Sequence, residues 1–144
     1  DLDLVISSST FHWLDDLPGL LERLSDRMTP KATLGFTLYS SANYHELRDI
    51  CGIGLDYCSP ADQRKLVGEK FSILAFEEEQ VSFYFDTPLQ LLHHLRQTGV
   101  NALADSAWTR SRLREFSESY TGRYGGPRGI PLTYHPLYCV ARKP

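Results

Sequence analysis

Cysteine is scarce in this chain and its placement shows no pattern. Cys51, Cys58 and Cys139 are the three among 144 residues. Their number is odd, their spacing is wide, and no Cys-x-x-Cys or Cys/His cluster accompanies them, so a disulfide framework or zinc site is not expected. They read as ordinary thiols of a reducing cytoplasm, and no metal is expected. Long apolar runs are missing too. No stretch approaches the roughly 18 residues of a spanning helix, and no charged-then-apolar leader is seen, so no membrane partner is expected. Excess positive charge is absent: 15 Lys and Arg face 18 Asp and Glu, a net charge of −3. That balance gives no general attraction to nucleic acid. A Gly-x-Ser-x-Gly elbow is lacking, which argues against a hydrolase. Before the C-terminal loop, the one Gly-x-Gly is Gly52-Ile53-Gly54. It follows a predicted helix rather than a strand, so it fails the context of a nucleotide-binding turn.

What is present reads as an α/β chain of about one domain's length. Leu4-Val5-Ile6 is an uninterrupted apolar run, which suits a strand covered on both faces. It ends in Ser7-Ser8-Ser9 and is followed by His12-Trp13. Such strands lie inside sheets, so the sequence reads as if it opened mid-fold. Asp15-Asp16-Leu17-Pro18 then starts a helix. Its stripe is Leu17, Leu20, Leu21, Leu24 and Met28, and Pro30 is its stop. Ala32–Ser40 is a second strand. Strand, helix and strand in about 40 residues make a βαβ unit with parallel strands. Ligands bind beyond the carboxyl ends of such strands. That places Ser7, Ser8, Ser9, His12 and Trp13 beside Tyr39, Ser40, Ser41 and Asn43.

Short helices are predicted from Asn43 to Cys51, ended by Gly52 and Gly54, and from Ser59-Pro60 through Leu66, with Gly68 as the stop. Two β runs, Phe71–Phe76 and Val81–Phe85, flank Glu77-Glu78-Glu79-Gln80. They read as a hairpin or one long bent strand, although the acidic tip lacks a tight-turn signal. Thr87-Pro88 opens a helix with Leu89, Leu92 and Leu95 along one side and His93-His94 toward solvent, ended by Gly99. Trp108 to about Tyr120 forms the last helix. Gly122 to Pro131 reads as a flexible loop. Leu132–Arg142 is the last strand, with a bulge or edge at Pro136. The domain reading is one partial domain: a strand-helix-strand unit over 1–42, helices and a β segment with a substrate-side helical insertion over 43–131, and a final strand over 132–144.

In this order of elements the sequence resembles the second half of a class I S-adenosylmethionine methyltransferase. Asp3–Asp16 is similar to that fold's fourth strand and following turn, and Ala32–Ser40 to its fifth strand. Three later stretches narrow the resemblance: Leu95, Arg96, Gly99 and Ala102; Thr109-Arg110-Ser111; and Leu132-Thr133-Tyr134-His135. Their order and spacing resemble the biotin-synthesis methyltransferases that esterify malonyl-acyl carrier protein. The resemblance implies the C-terminal part of a Rossmann-like methyltransferase sheet, parallel strands followed by an antiparallel β segment, with inserted helices. It implies S-adenosylmethionine as cofactor and a malonyl-loaded acyl carrier protein as partner. The family's first half, with its glycine-rich turn and ribose-holding acidic residue, has no counterpart in this sequence. Tight cofactor binding and activity of this chain alone are therefore not expected. The alternative is a non-catalytic carrier-binding or assembly module of the same fold.

Methyl transfer to a carboxylate needs no general base, because the nucleophile is already ionised at neutral pH with a pKa near 4. No residue is assigned as catalytic. Substrate-binding candidates are Arg110, Arg112, Tyr134 and His135. Cofactor-binding candidates are Ser7, Ser8, His12 and Trp13, with His12 a further possibility for the substrate carboxylate. Five arginines, Arg110, Arg112, Arg114, Arg123 and Arg128, face only Glu115 and Glu118 between positions 108 and 128. They form either a solvated face or a patch for an acidic carrier. The first strand's free edge is expected to drive self-association.

Overall fold

The computed structural model describes residues 1–52, 57–99 and 108–144. The expectations that rest on Gly54 and Ala102 lie outside them. Two compact units share the chain. Among described residues, one comprises 1–43, 57–80 and 135–144, and the other 44–52, 81–99 and 108–134.

The first unit is a four-stranded sheet. β1 (Leu2–Ser8) pairs in parallel with β2 (Met28–Tyr39), as the βαβ reading requires. β3 (Ser72–Glu78) and β6 (Pro136–Arg142) complete the order β1-β2-β6-β3, with β6 antiparallel to both β2 and β3. A parallel pair followed by an antiparallel segment is the arrangement expected. In β2, Leu34, Phe36 and Leu38 are buried while Thr33, Gly35 and Thr37 are half-buried, the alternation of a strand. The buried set meets Leu17, Leu20, Leu21 and Leu24 of α1 (Leu17–Arg27), with Leu66 and Val67 of α3 (Pro60–Gly68). Each such leucine contributes roughly 1.5–3 kcal/mol on full burial.

Both helices start where a cap was legible. Asp16 Oδ1 accepts the Gly19 N–H at 2.8 Å, and Ser59 Oγ accepts the Asp62 N–H at 3.1 Å. The end of α1 differs from expectation. Met28 leaves the helix and is a buried strand residue, and Pro30 lies inside β2 rather than stopping a helix. Lys31, at φ 66°, and a shift of register between Leu2 and Leu4 accommodate it. Lys143, whose carbonyl accepts the Lys31 N–H, donates its ammonium to the Ser25 carbonyl and ties the end of the β6 segment to α1.

β1 is not covered on both faces. Val5 packs on the core, but Leu4 is 57% and Ile6 74% exposed. Among the described residues β1 pairs only with β2, so it forms the sheet's edge. The register sets Ile6 beside Gly35, Gly35 beside Val140, and Val140 beside Ala75. Ile6 and Val140 are both exposed along this row.

The second unit contains α2 (His45–Cys51), α4 (Pro88–Gln97), α5 (Arg110–Tyr124), and a ribbon of β4 (Val81–Phe85) and β5 (Ile130–Tyr134). Its core is Leu47, Leu91, Leu95, Phe116, Tyr120, Ile130 and Leu132. Thus the 71–85 segment is not a hairpin. β3 pairs with β6, and β4 pairs with β5. The last strand is likewise two strands that meet at His135, with Pro136 opening β6, a position that tolerates its missing N–H. On α4 the buried side carries Leu91 and Leu95, four apart, while Leu89 is exposed. Helix α5 runs through Gly122 to Tyr124, because Tyr120 and Tyr124 both pack on the core. The turn after it is short. Gly126 and Gly129 exchange two backbone hydrogen bonds, at 3.1 and 2.9 Å. Gly129, at φ 102°, leaves no room for a Cβ, which would lie 2.4 Å from the Phe85 carbonyl oxygen.

Candidate functional site

In the first unit, β1 ends in the serines and the chain turns through a single 3-10 turn, Phe11–Trp13. The Ser9 N–H donates to Thr37 Oγ1 at 2.9 Å, fastening this turn to β2. Phe11 is buried and anchors the turn, while Trp13 is exposed. His12 lies among aromatic rings: Trp13 at 5.0 Å, Tyr39 at 5.3 Å and Tyr57 at 5.8 Å between centroids. Burial lowers the His12 imidazole from its ordinary value, so it is held neutral. Ser7 Oγ and His12 Nδ1 are buried atoms without a hydrogen-bond partner among the described residues. Buried polar atoms are rarely left unpaired. Two of them at the carboxyl end of a parallel strand, beside an aromatic cluster, fit one side of a site for a polar, ring-bearing cofactor. Ser8 is exposed, and its carbonyl accepts the Thr10 hydroxyl.

His135 is in the same unit but is fully engaged. Its N–H donates to Asn43 Oδ1 at 3.0 Å, its Nδ1 is 2.7 Å from Ser40 Oγ, and its Nε2 is 3.7 Å from Glu78. The side chain is 14% exposed. A serine, a histidine and a carboxylate in series are the residue types of a hydrolytic triad. Ser40 is fully buried, however, and its Oγ also accepts the Ala42 N–H at 3.0 Å. A nucleophile needs access to substrate, so these residues are a joint between β2 and β6.

The second unit holds Arg110, Arg112 and Tyr134. The Tyr134 hydroxyl is 2.8 Å from His94 Nε2. Its ring stands edge-on to Tyr44 and Phe83, at 4.9 and 5.4 Å. His94 is therefore not a solvated helix residue but part of an aromatic cluster. Helical spacing alone could have found it, since it is one residue before Leu95 and three after Leu91. Beneath lies a buried carboxylate that the sequence did not mark. Glu46 accepts the Thr133 N–H at 3.1 Å and the Thr133 hydroxyl at 2.5 Å. Tyr120 donates to the Pro131 carbonyl at 2.8 Å, and burial pushes its phenol well above the ordinary range.

The arginines divide. Arg114 pairs with Glu118 at 3.5 Å, Arg123 with Asp49 at 2.7 Å, and Arg128 stacks 4.2 Å over the Tyr84 ring. Arg110 and Arg112 are exposed and have no ion pair among the described residues. A cleft of about 240 Å³ opens beside Arg112, lined by Ile50, Cys51, Trp108, Glu115 and Phe116. Thr109 caps α5 there, its Oγ1 accepting the Arg112 N–H at 3.2 Å. No described group of three His, Cys, Asp or Glu side chains could hold a metal ion, and no described helix is long and apolar enough to cross a membrane.

The sheet and its helices define a class of protein. The structure of a putative methyltransferase from Bacillus halodurans C-125 superposes with a TM-score of 0.63 at 11% identity, covering 99% of this chain and 70% of that one. A functionally unknown protein from Deinococcus radiodurans R1 superposes with a TM-score of 0.52 at 13% identity, over 99% of this chain and 50% of that one. These likenesses show the fold, a Rossmann-like one of methyltransferase type. No family model matches the chain. In sequence the chain is similar to malonyl-[acyl-carrier protein] O-methyltransferases. It is 41% identical to that of Chlorobium luteolum over 98% of its length and 37% identical to that of Prosthecochloris aestuarii over 99%. The chain spans about half the length of both, 54% and 53%.

Proposed function

We propose that this chain is part of an S-adenosylmethionine-dependent O-methyltransferase that esterifies the free carboxyl of malonyl-acyl carrier protein in biotin synthesis. The observation that carries the reading is 41% identity, over 98% of this chain, to a relative bearing the malonyl-carrier methyltransferase name. The parallel β1–β2 pair, with Ser7 Oγ and His12 Nδ1 at its carboxyl end and unpaired among the described residues, supports a cofactor wall there.

S-adenosylmethionine, held on one side by Ser7 and His12 in this reading, would supply an electrophilic methyl group to the carboxylate. The chain's own residues then have three tasks: exclude water, align the carboxylate, and avoid binding it so tightly that it loses nucleophilicity. A neutral His12 imidazole offers a hydrogen bond without a full countercharge. Arg110 and Arg112 are the substrate-side cations with no ion pair among the described residues. Tyr134 and His135 act through position, since both are already hydrogen-bonded within the protein.

The chain alone is inactive in this reading, because it contains neither a glycine-rich turn after a strand nor the acidic residue that ends the next one. A second reading is a carrier-binding module without catalysis. It draws on the second unit, where seven arginines face five carboxylates among described residues. Acyl carriers are acidic, and such a surface would steer them. Self-association through the β1 edge belongs to both readings.

Calorimetry with S-adenosylmethionine, and labelled-methyl transfer to malonyl-carrier protein, test the proposal. The expected result is no stoichiometric cofactor binding by this chain alone, with methyl transfer once the preceding half of a relative is supplied in trans. Tight stoichiometric binding by the chain itself would overturn the claim that it carries only one wall of the site. A complemented pair that transfers no methyl group to the malonyl carrier would favour the non-catalytic module.

A further inference from the structure

The cleft beside Arg112 gives that substrate-side cation a more specific partner than the reacting carboxylate. Part of the lining is apolar. The rings of Trp108 and Phe116 meet edge-to-face at 5.3 Å, and Ile50 of α2 shares the lining. The rim carries two charges of opposite sign, Arg112 and Glu115, each exposed and neither paired with a described residue. Ser119 lies one helical turn beyond Glu115 in the same lining. A small apolar metabolite would leave both charges unused, and a simple anion would leave the aromatic wall unused. The cleft therefore asks for an extended ligand with an anionic end, an aliphatic middle and N–H donors.

We propose that this cleft seats the phosphorylated pantetheine-type arm of an acyl carrier. Arg112 takes the phosphodiester, the Ile50–Trp108–Phe116 wall takes the alkyl part, and Glu115 accepts from the arm's amide N–H groups. The proposal rests on the carrier reading above and deepens it. A phosphodiester takes no part in methyl transfer, so Arg112 can bind it fully without weakening the nucleophile. Arginine suits that anion because its planar fork matches phosphate oxygens. Cys51 also faces the cleft, and a thiolate there would attack a thioester. Burial pushes its thiol up, against the lowering effect of Arg112, which keeps it protonated and inert.

The test uses the Trp13→Phe variant of this chain, so that fluorescence reports Trp108 alone. The probes are 4′-phosphopantetheine and unphosphorylated pantetheine. The phosphorylated probe is expected to shift Trp108 emission and to bind about tenfold more tightly, as one charge-assisted contact at a solvent-facing rim predicts. Arg112→Gln should erase that tenfold difference, and Arg114→Gln should keep it. Ser119→Leu, which narrows the lining, should weaken both probes. Equal affinity for the two probes, or Arg112→Gln behaving like its parent, overturns the proposal. So does Ser119→Leu with both affinities intact. A pull-down with malonyl-loaded carrier separates the two readings. Carrier binding that survives Arg112→Gln unchanged sinks the cleft assignment and leaves the carrier partner standing. Arm binding that shows the Arg112 dependence, with no carrier bound, sustains the cleft and sinks the carrier partner.

Discussion

Thr133 gives both of its donors, backbone N–H and hydroxyl, to the single carboxylate of Glu46. Glu46 is 1% exposed, and the two residues are 87 positions apart in sequence. This contact fixes the register of α2 against β5. Thr133 is also bonded to β4, where its Oγ1 lies 3.0 Å from Ser82 Oγ. One carboxylate therefore holds the strand that carries Tyr134.

Glu46→Ala should destabilise the protein by roughly 2–4 kcal/mol, because two buried donors lose their acceptor together. Thr133→Val, which keeps the N–H bond, should cost only about 1 kcal/mol. Urea unfolding of both variants checks the order, and a Thr133→Val cost equal to that of Glu46→Ala would refute it.

His12 predicts an acid-sensitive stability. Its folded pKa lies below the unfolded 6.5, so the unfolded chain binds the extra proton as pH falls. The contribution is fully present above pH 6.5 and is lost as pH drops through the lowered folded value. His12→Phe should flatten urea midpoints across pH 5–7.5, relative to the parent. An unchanged slope would show that the acid sensitivity arises elsewhere.

The three thiols should react in a fixed order. Cys58 is exposed and Cys51 half-buried. Cys139 is buried, and burial pushes it up to about 11, against a smaller lowering effect from Arg64. At pH 8 its thiolate fraction is about one in a thousand, and access is blocked as well. Mass-resolved alkylation should label Cys58 first and Cys139 only on unfolding. Early labelling of Cys139 would mean that β6 opens locally.

The capped helices were legible because a cap is local. Asp16, Ser59 and Thr87 lie directly before their helices, and each accepts the expected backbone N–H. The parallel strand pair was equally legible, since a βαβ spacing admits little else. The division of residues 71–85 between two sheets was not. Whether β3 pairs with β4 or β6 depends on partners more than 50 residues away, and no turn signal at Glu77–Gln80 decides it. Gly122 misled for a related reason: the buried Tyr120 and half-buried Tyr124 outweigh the weak helix propensity of one glycine. At the site, residue types were readable and engagement was not. Tyr134 and His135 are adjacent in sequence, yet their partners are His94 and Ser40, 40 and 95 residues away.

The open face of β1 should govern association. Ile6→Lys places a charge on its most exposed apolar position and should shift sedimentation profiles toward monomer. A parent chain that is already monomeric and well folded at high concentration would rule out the edge as an assembly surface.

β6 is the second strand from one edge of its sheet, yet it is drawn from residues 136–142 and bridges β2 to β3. During synthesis, β2 and β3 must wait, unjoined, until Arg142 has left the ribosome. This sheet therefore closes after translation of its last strand rather than growing from its first. Until then its apolar strands are exposed to chaperones, and deleting the last nine residues should cost the whole sheet rather than one edge.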